Sequence, residues 1–436
     1  MSEGPLDAVR DLSAYLDASP SPYHAVRETV RRLEAAGFRA LDERDAWTVS
    51  AGEKLYVTRG DATVAAFVLG TTSPVEGGFH LVGAHTDSPN LRVKPNPDLS
   101  AAGCAQIAVE PYGGVLYHTW LDRDLALAGR VFVRTSGGGV ARHLLDPREA
   151  LLRIPSLAIH LNRGVNTDGL VVNAQRHLPP LYALLASSVK DVPTLIAREL
   201  RAQDASVEAR DVVGWDLATV DVQKAAVFGA SGEFLASGRI DNLASCHAAT
   251  TALLESGSAT RATRGIVLYD HEECGSKSAQ GAASSFLGEV LRRLLFAVGD
   301  ASPEAFPRAM ARSFFVSADM AHAGHPNHSD KHDPQHMPLL GGGPVVKINT
   351  NQSYATDGES WARFEGHCRD AGVPTQRFVA RSDLGCGSTI GPMTAASLGI
   401  RTVDVGTPML SMHSCREMTS TADVPRMIAV LRAFFA

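Results

Sequence analysis

The chain has 436 residues, more than one hydrophobic core ordinarily supports, so two domains are expected. Its apolar fraction of 44% and charged fraction of 20% are those of a globular protein, and a net charge of −6 with no basic stripe excludes a nucleic-acid surface. No uninterrupted apolar segment reaches membrane-spanning length, and Met1-Ser2-Glu3-Gly4-Pro5 lacks the basic start and apolar core of a signal peptide, so a cytoplasmic protein with no membrane partner is expected. The cysteines, Cys104, Cys246, Cys274, Cys368, Cys386 and Cys415, form no C-x-x-C pair and read as free thiols.

Leu6, Val9, Leu12 and Leu16 recur at helical spacing, and Ser19-Pro20-Ser21-Pro22 ends that helix and starts a second, from about Tyr23 to Ala36. Residues 55–69 alternate like a strand. After Gly77-Gly78 the run Phe79 to Ala84 predicts another, ending in His85-Thr86-Asp87, where extended backbone puts His85 and Asp87 on one face. Pro95-Asn96-Pro97 breaks the pattern. From Gln106 to about Val140 short alternating stretches divided by Gly113-Gly114 and Gly137-Gly138-Gly139 predict β-hairpins, and strand-like sequence returns from Asp211 to Phe228. Residues 96–233 therefore read as an insert in a discontinuous α/β domain of residues 1–95 and 234–436.

That α/β pattern resumes at Arg239-Ile240-Asp241-Asn242, followed by a helix over 243–254. The apolar run Ile266-Val267-Leu268-Tyr269 is a buried strand that leads into Asp270-His271-Glu272-Glu273-Cys274-Gly275-Ser276. Phe314 to Ala318 predicts a further strand that delivers Asp319, and 400–405 another, before the loop with Met412-His413-Ser414. A closing amphipathic helix has Thr421 or Ser420 as its cap, Pro425 in its first turn, and Met427, Ile428, Leu431, Phe434 and Phe435 on its buried face.

Histidine and carboxylate groups thus recur at strand ends, and open α/β sheets bind ligands at that edge. Imidazole and carboxylate donors without a thiolate suit a catalytic zinc or similar ion, and the absence of H-E-x-x-H removes the mononuclear helix-borne arrangement. Three carboxylates against two divalent ions leave about one positive charge, which suits a hydroxide held between them and leaves Glu272 free as a base. Cys274 is a poor nucleophile, because two adjacent acids oppose its thiolate.

The runs Gly83-Ala84-His85-Thr86-Asp87-Ser88-Pro89, Gly238-Arg239-Ile240-Asp241-Asn242, Asp270 to Ser276, Ser317-Ala318-Asp319-Met320-Ala321-His322, Cys386 to Pro392 and Met412-His413-Ser414 resemble the aspartyl aminopeptidase family of co-catalytic zinc metallopeptidases. The likeness extends in order over nearly the whole chain. It implies a mixed-sheet zinc-aminopeptidase domain of the α/β class with an inserted β-rich dimerisation domain. It implies two Zn²⁺ per subunit, with Mn²⁺ or Co²⁺ also accepted by such ligands. His85 and Asp319 would hold one metal, Glu273 and His413 the other, and Asp241 would bridge them. Asp87 would orient the His85 imidazole, and Glu272 would take a proton from the metal-bridging water and pass it to the leaving amine. The substrate's free amino terminus would bind one metal. His322 would stabilise the oxyanion, and Lys347 would pair with an acidic side chain at the peptide's first position. His160 resembles a histidine that a neighbouring subunit inserts into the active site, within a homo-oligomer that in this family is a dodecamer.

The expected reaction is release of an N-terminal Asp or Glu from peptides. Two alternatives stay open: the same fold and metals with a neutral or basic preference, and a non-catalytic assembly in which the metals are structural. Beyond His322, the loop histidines His325, His328, His332 and His336 read as solvated or backbone-capping. Arg381 and Asp383 suit a pocket wall or a plain ion pair.

Overall fold

The computed structural model describes residues 5–146, 149–257 and 259–436; the first four residues, read above for a leader, lie outside them. The chain forms two compact units. The larger comprises the described part of Met1–Asp87 with Ala225–Met412 and Glu417–Ala436, and the smaller comprises Ser88–Lys224 with His413–Arg416.

The larger unit is built on a nine-stranded mixed sheet whose central strands, in spatial order, are Thr263–Tyr269, Phe79–His85, Phe314–Ala318 and Arg401–Gly406. These four run parallel, so their carboxyl ends emerge along one edge. Their register does the positioning. Tyr269 pairs with His85, Ser317 with Gly83 and Ala318 with Val405, so the residues after 269 and after 318 flank His85.

Both faces of this sheet are covered, which is why its strands read as unbroken apolar runs. Successive residues point to opposite sides. Val82, Ile266, Leu268, Phe314 and Val316 pack with the helices Pro5–Ala18, Pro22–Ala35, Ile240–Glu255 and Asp423–Phe435. Leu81, Val267 and Phe315 pack on the other side with Phe286–Ala297 and Ala305–Arg312. A second, five-stranded sheet in this unit orders Ala226–Phe228, Phe234–Ser237, Glu417–Ser420, Pro408–Leu410 and Ala321–His322.

The smaller unit is a six-stranded antiparallel sheet in the order Val140–Leu145, Leu125–Arg134, Val212–Asp221, Asn90–Ala101, Cys104–Tyr112 and Leu181–Leu184. The helix Val192–Leu200, capped by the Asp191 carboxylate on the Thr194 N–H, buries Val192, Leu195, Ile196 and Leu200 in its core.

Several local expectations need correction. Pro95-Asn96-Pro97 does not end an element: the strand Asn90–Ala101 runs through it, with a shift of pairing between Val93 and Asp98 where the prolines cannot donate. The smaller compact unit takes in Ser88–Lys224 and His413–Arg416, beside the 96–233 read from sequence. Residues 55–69 are two strands, Lys54–Arg59 and Thr63–Val68, turned at Gly60 and Asp61, both with positive φ. Past Gly113-Gly114 the chain enters a 3₁₀ turn, Tyr117–Trp120, rather than a hairpin, whereas the triple glycine does join two paired strands. The last helix begins at Asp423; of the two expected caps, Ser420 Oγ accepts the Ala422 N–H at 3.2 Å at its start while the Thr421 hydroxyl turns away to the Gly232 carbonyl, and its expected buried face is buried.

Among the described residues, no helix is long and apolar enough to cross a membrane.

Candidate metal centre

His85 ends its strand and is 1% exposed. Its Nε2 faces two carboxylates, Asp319 Oδ1 at 3.4 Å and Asp241 Oδ1 at 3.6 Å. Its Nδ1 lies 3.0 Å from the Asp87 carbonyl and 3.4 Å from the Asp87 carboxylate. Burial alone would push this imidazole down, but Asp319, Asp87 and Glu272 outweigh it and hold its pKa well above the ordinary value. A position flanked by two carboxylates within 4 Å favours a positive charge there, as a proton or as a metal ion.

Asp87 is close to His85, but not by sharing a strand face: the strand stops at His85 and Asp87 lies in the turn beyond it. Its buried carboxylate accepts the backbone N–H groups of Glu272 at 3.1 Å and Glu273 at 3.0 Å. One residue thus fixes both the imidazole and the acidic turn.

That turn follows Tyr269 and is shaped by positive φ at His271, Gly275 and Ser276. Burial, reinforced by Asp319, Asp87 and Asp241 and opposed by His85, pushes the Glu272 carboxyl up to about 8. Burial and Asp241 likewise raise Glu273 well above the carboxylate range. Asp319 goes the other way, because Lys347 and His85 outweigh its burial and lower it.

Asp241 stands at the start of the helix Ile240–Glu255 with non-helical φ −81° and ψ 107°, and its peptide bond to Asn242 is cis. Asn242 Nδ2 donates to the Ala318 carbonyl at 2.9 Å, tying this turn to the strand that delivers Asp319. Arg239, at φ 61°, donates from Nε to the Ser19 carbonyl at 3.0 Å.

Donor atoms of His85, Asp241 and Asp319 lie within 4.8 Å of one another, and so do those of His85, Glu272 and Glu273. Nitrogen and carboxylate oxygen donors, with Cys274 exposed and its Sγ turned to the His271 carbonyl at 3.6 Å, fit zinc bound without thiolate. The fit rests on this donor set and on four acids packed round one imidazole, whose mutual repulsion divalent cations would offset.

The other predicted residues are distributed differently. Lys347 is 3% exposed on the strand Val345–Ile348; its Nζ sits 3.4 Å from Asp319 Oδ2 and over the Tyr354 ring at 5.4 Å. The position expected to meet a substrate acid therefore already meets a metal-type carboxylate. His322 is exposed, 5.8 Å from the Phe378 ring, on a cavity of about 410 Å³ that Phe378, Lys331, Arg381 and Met409 also line. His413 packs with the smaller unit, its Nδ1 3.1 Å from the Gly114 carbonyl. His160 belongs to that unit too, exposed on the turn Ile159–Leu161.

Two of the loop histidines accept backbone N–H groups and a third meets a carboxylate. His332 Nε2 accepts the His325 N–H at 3.1 Å, His325 Nδ1 accepts the Asn327 N–H at 3.2 Å, and His336 Nδ1 meets Asp333 at 2.7 Å. Among the described residues they form no metal-type group. Arg381 and Asp383 are a bidentate ion pair, at 2.9 and 2.7 Å, and Arg381 also lines the cavity. Sequence reasoning passed over Asn242 and Glu417, whose roles come from contacts distant in the chain and carry no local signal.

Imidazole and carboxylate donors gathered at the parallel edge of a mixed α/β sheet make a donor set suited to a divalent metal, the class of site that metalloenzymes of α/β fold use. The family model for aminopeptidase I zinc metalloproteases (M18) matches residues 15–435, and the chain belongs to that family: it is a zinc aminopeptidase. The "Probable M18 family aminopeptidase 2" of Pseudomonas aeruginosa strain UCBPP-PA14 is 51% identical over 422 residues, 97% of this chain and 96% of that protein. A chain of the cryo-EM structure of the Ape4 and Nbr1 complex superposes with a TM-score of 0.95 at 38% identity, covering 99% of this chain and 86% of the other. A chain of the S. cerevisiae mApe1 dodecamer gives a TM-score of 0.85 at 29% identity, with 98% and 96% covered.

Proposed function

We propose that this aminopeptidase carries two zinc ions per subunit and releases N-terminal Asp or Glu from peptides in the cytoplasm, where its six free thiols would stay reduced. The observation that carries the reading is the convergence of Asp241, Asp319, Glu272 and Glu273 on His85, which supplies one more acid than the ligand set inferred from the resemblance uses. His85, Asp241, Glu273 and Asp319, with His413, would hold the metals. Zinc bound there would polarise the scissile carbonyl and acidify water. Glu272 is the remaining acid. As a carboxylate it accepts the proton of the attacking water, and as an acid it returns that proton to the leaving nitrogen, a role worth about 10²- to 10⁴-fold in rate. Asp87 holds the Glu272 and Glu273 amides and the His85 ring, His322 donates to the oxyanion, and His160 reaches the site of a neighbouring subunit.

Acidic preference rests on the buried ammonium of Lys347. Its 3.4 Å approach to Asp319 favours a second reading, in which that charge serves the ligand carboxylate and the first residue is neutral. Comparing Asp-, Glu-, Leu- and Lys-aminoacyl reporters on the zinc-loaded enzyme decides between them. For the mechanism, Glu272→Gln is expected to lower kcat by at least about 10²-fold with zinc content unchanged; near-normal turnover would eliminate Glu272 as the proton carrier.

A further inference from the structure

We infer that Glu417 is a positioning residue for the metal centre, acting through the backbone of Asp241. Glu417 opens the strand Glu417–Ser420, is 2% exposed, and accepts the Asp241 N–H on Oε2 at 2.9 Å.

The need for such an acceptor follows from the helix start. The first N–H groups of a helix have no intrahelical acceptor, and a carboxylate placed there also interacts favourably with the helix dipole. In most helices the preceding side chain supplies the acceptor. Here the preceding residue is Arg239, in the left-handed region, and no side-chain cap is made from that position. Glu417 takes over from another strand: its register partner is Ser237, the last strand residue before the chain turns through Gly238 and Arg239 into Asp241.

Asp241 departs from helical φ and ψ, so the helix itself does not fix the direction of its carboxylate. Two cross-chain bonds bracket it. Glu417 takes its N–H, and Asn242 reaches the Ala318 carbonyl next to Asp319. With these in place Asp241 Oδ1 lies 3.6 Å from His85 Nε2. Removing the Glu417 acceptor frees one side of that bracket and leaves a buried N–H to find another partner, so Asp241 turns and metal affinity falls. A residue acting on a metal ligand in this way typically changes affinity by about 10- to 100-fold.

The inference rests on the reading of Asp241 as a zinc ligand. The test measures zinc affinity by competition with a chromophoric chelator in the full-length protein, in Glu417→Gln, Glu417→Met and Asp241→Asn. Gln keeps a carbonyl oxygen in place, so it is expected to bind zinc within about threefold of the parent, whereas Met, similar in length but without an acceptor, weakens binding at least about tenfold. If the Met variant does not fold, Glu417→Asp, whose shorter side chain withdraws the acceptor from the Asp241 N–H while keeping the charge, takes its place: zinc binding at least about tenfold weaker is expected, and parent-like binding overturns the role. Parent-like zinc binding in Glu417→Met, with zinc lost in Asp241→Asn, overturns the positioning role and leaves the zinc site standing. Parent-like binding in Asp241→Asn overturns both.

Discussion

Asp87 shows how one carboxylate can organise a site it need not touch with substrate. Its two oxygens accept the Glu272 and Glu273 amides, and it stands beside His85 Nδ1, with Asp87 and His85 both buried. Hydrogen bonds to a charged acceptor contribute about 1.5–3 kcal/mol each, and a stranded buried donor costs a comparable amount. Asp87→Ala is therefore expected to destabilise the fold by about 3 kcal/mol or more, visible as a lower chemical-denaturation midpoint, and to reduce zinc retention. The turn that carries Glu272 and Glu273 loses its acceptor, and His85 keeps the Asp87 carbonyl but loses the carboxylate beside Nδ1. Unchanged zinc retention would mean that Asp87 serves the fold alone. The sequence pointed to this residue through its spacing from His85, but for a partly wrong reason: the strand had already ended, and its main partners lie 185 and 186 positions away.

At the level of elements, what local pattern can encode was legible. The runs ending at His85, Tyr269 and Ala318 are buried strands because β-branched and aromatic residues fill both faces of a covered parallel sheet, and acids placed just after them meet at its edge. Cross-element contacts were not legible: Lys347 against Asp319, Glu417 against Asp241, and the prolines tolerated inside Asn90–Ala101. Nor did periodicity reveal how tightly the strand Arg401–Gly406 approaches the metal centre. A Cβ built on Gly406 would fall 2.0 Å from the Asp319 carbonyl oxygen and 2.8 Å from the Ala321 nitrogen, both of them backbone atoms with little freedom to yield. Overpacking of this kind costs about 1–3 kcal/mol or more. Gly406→Ala should therefore lower thermal stability and, because the displaced atom belongs to Asp319, weaken zinc binding as well. Loss of stability with intact zinc affinity would show that the strain relaxes away from Asp319.

For the whole molecule, the surface of the smaller unit bears on assembly. Leu157, Leu161 and Val171 are 62%, 74% and 85% exposed within a short stretch that also carries His160, an apolar surface of the sort that marks an interaction site when it lies contiguous. The mApe1 dodecamer shows that a chain of this fold assembles into large complexes. If copies of this chain bury the stretch in one another, charge placed there should disperse the assembly, since an unpaired buried carboxylate opposes association by several kcal/mol. Leu161→Glu combined with Val171→Glu is expected to give a smaller species by mass measurement in solution. Should His160 complete a neighbour's site, that dispersed enzyme also loses turnover, while His160→Ala lowers kcat at unchanged mass. A dispersed protein with parent-like kcat would separate assembly from catalysis and remove His160 from the reaction.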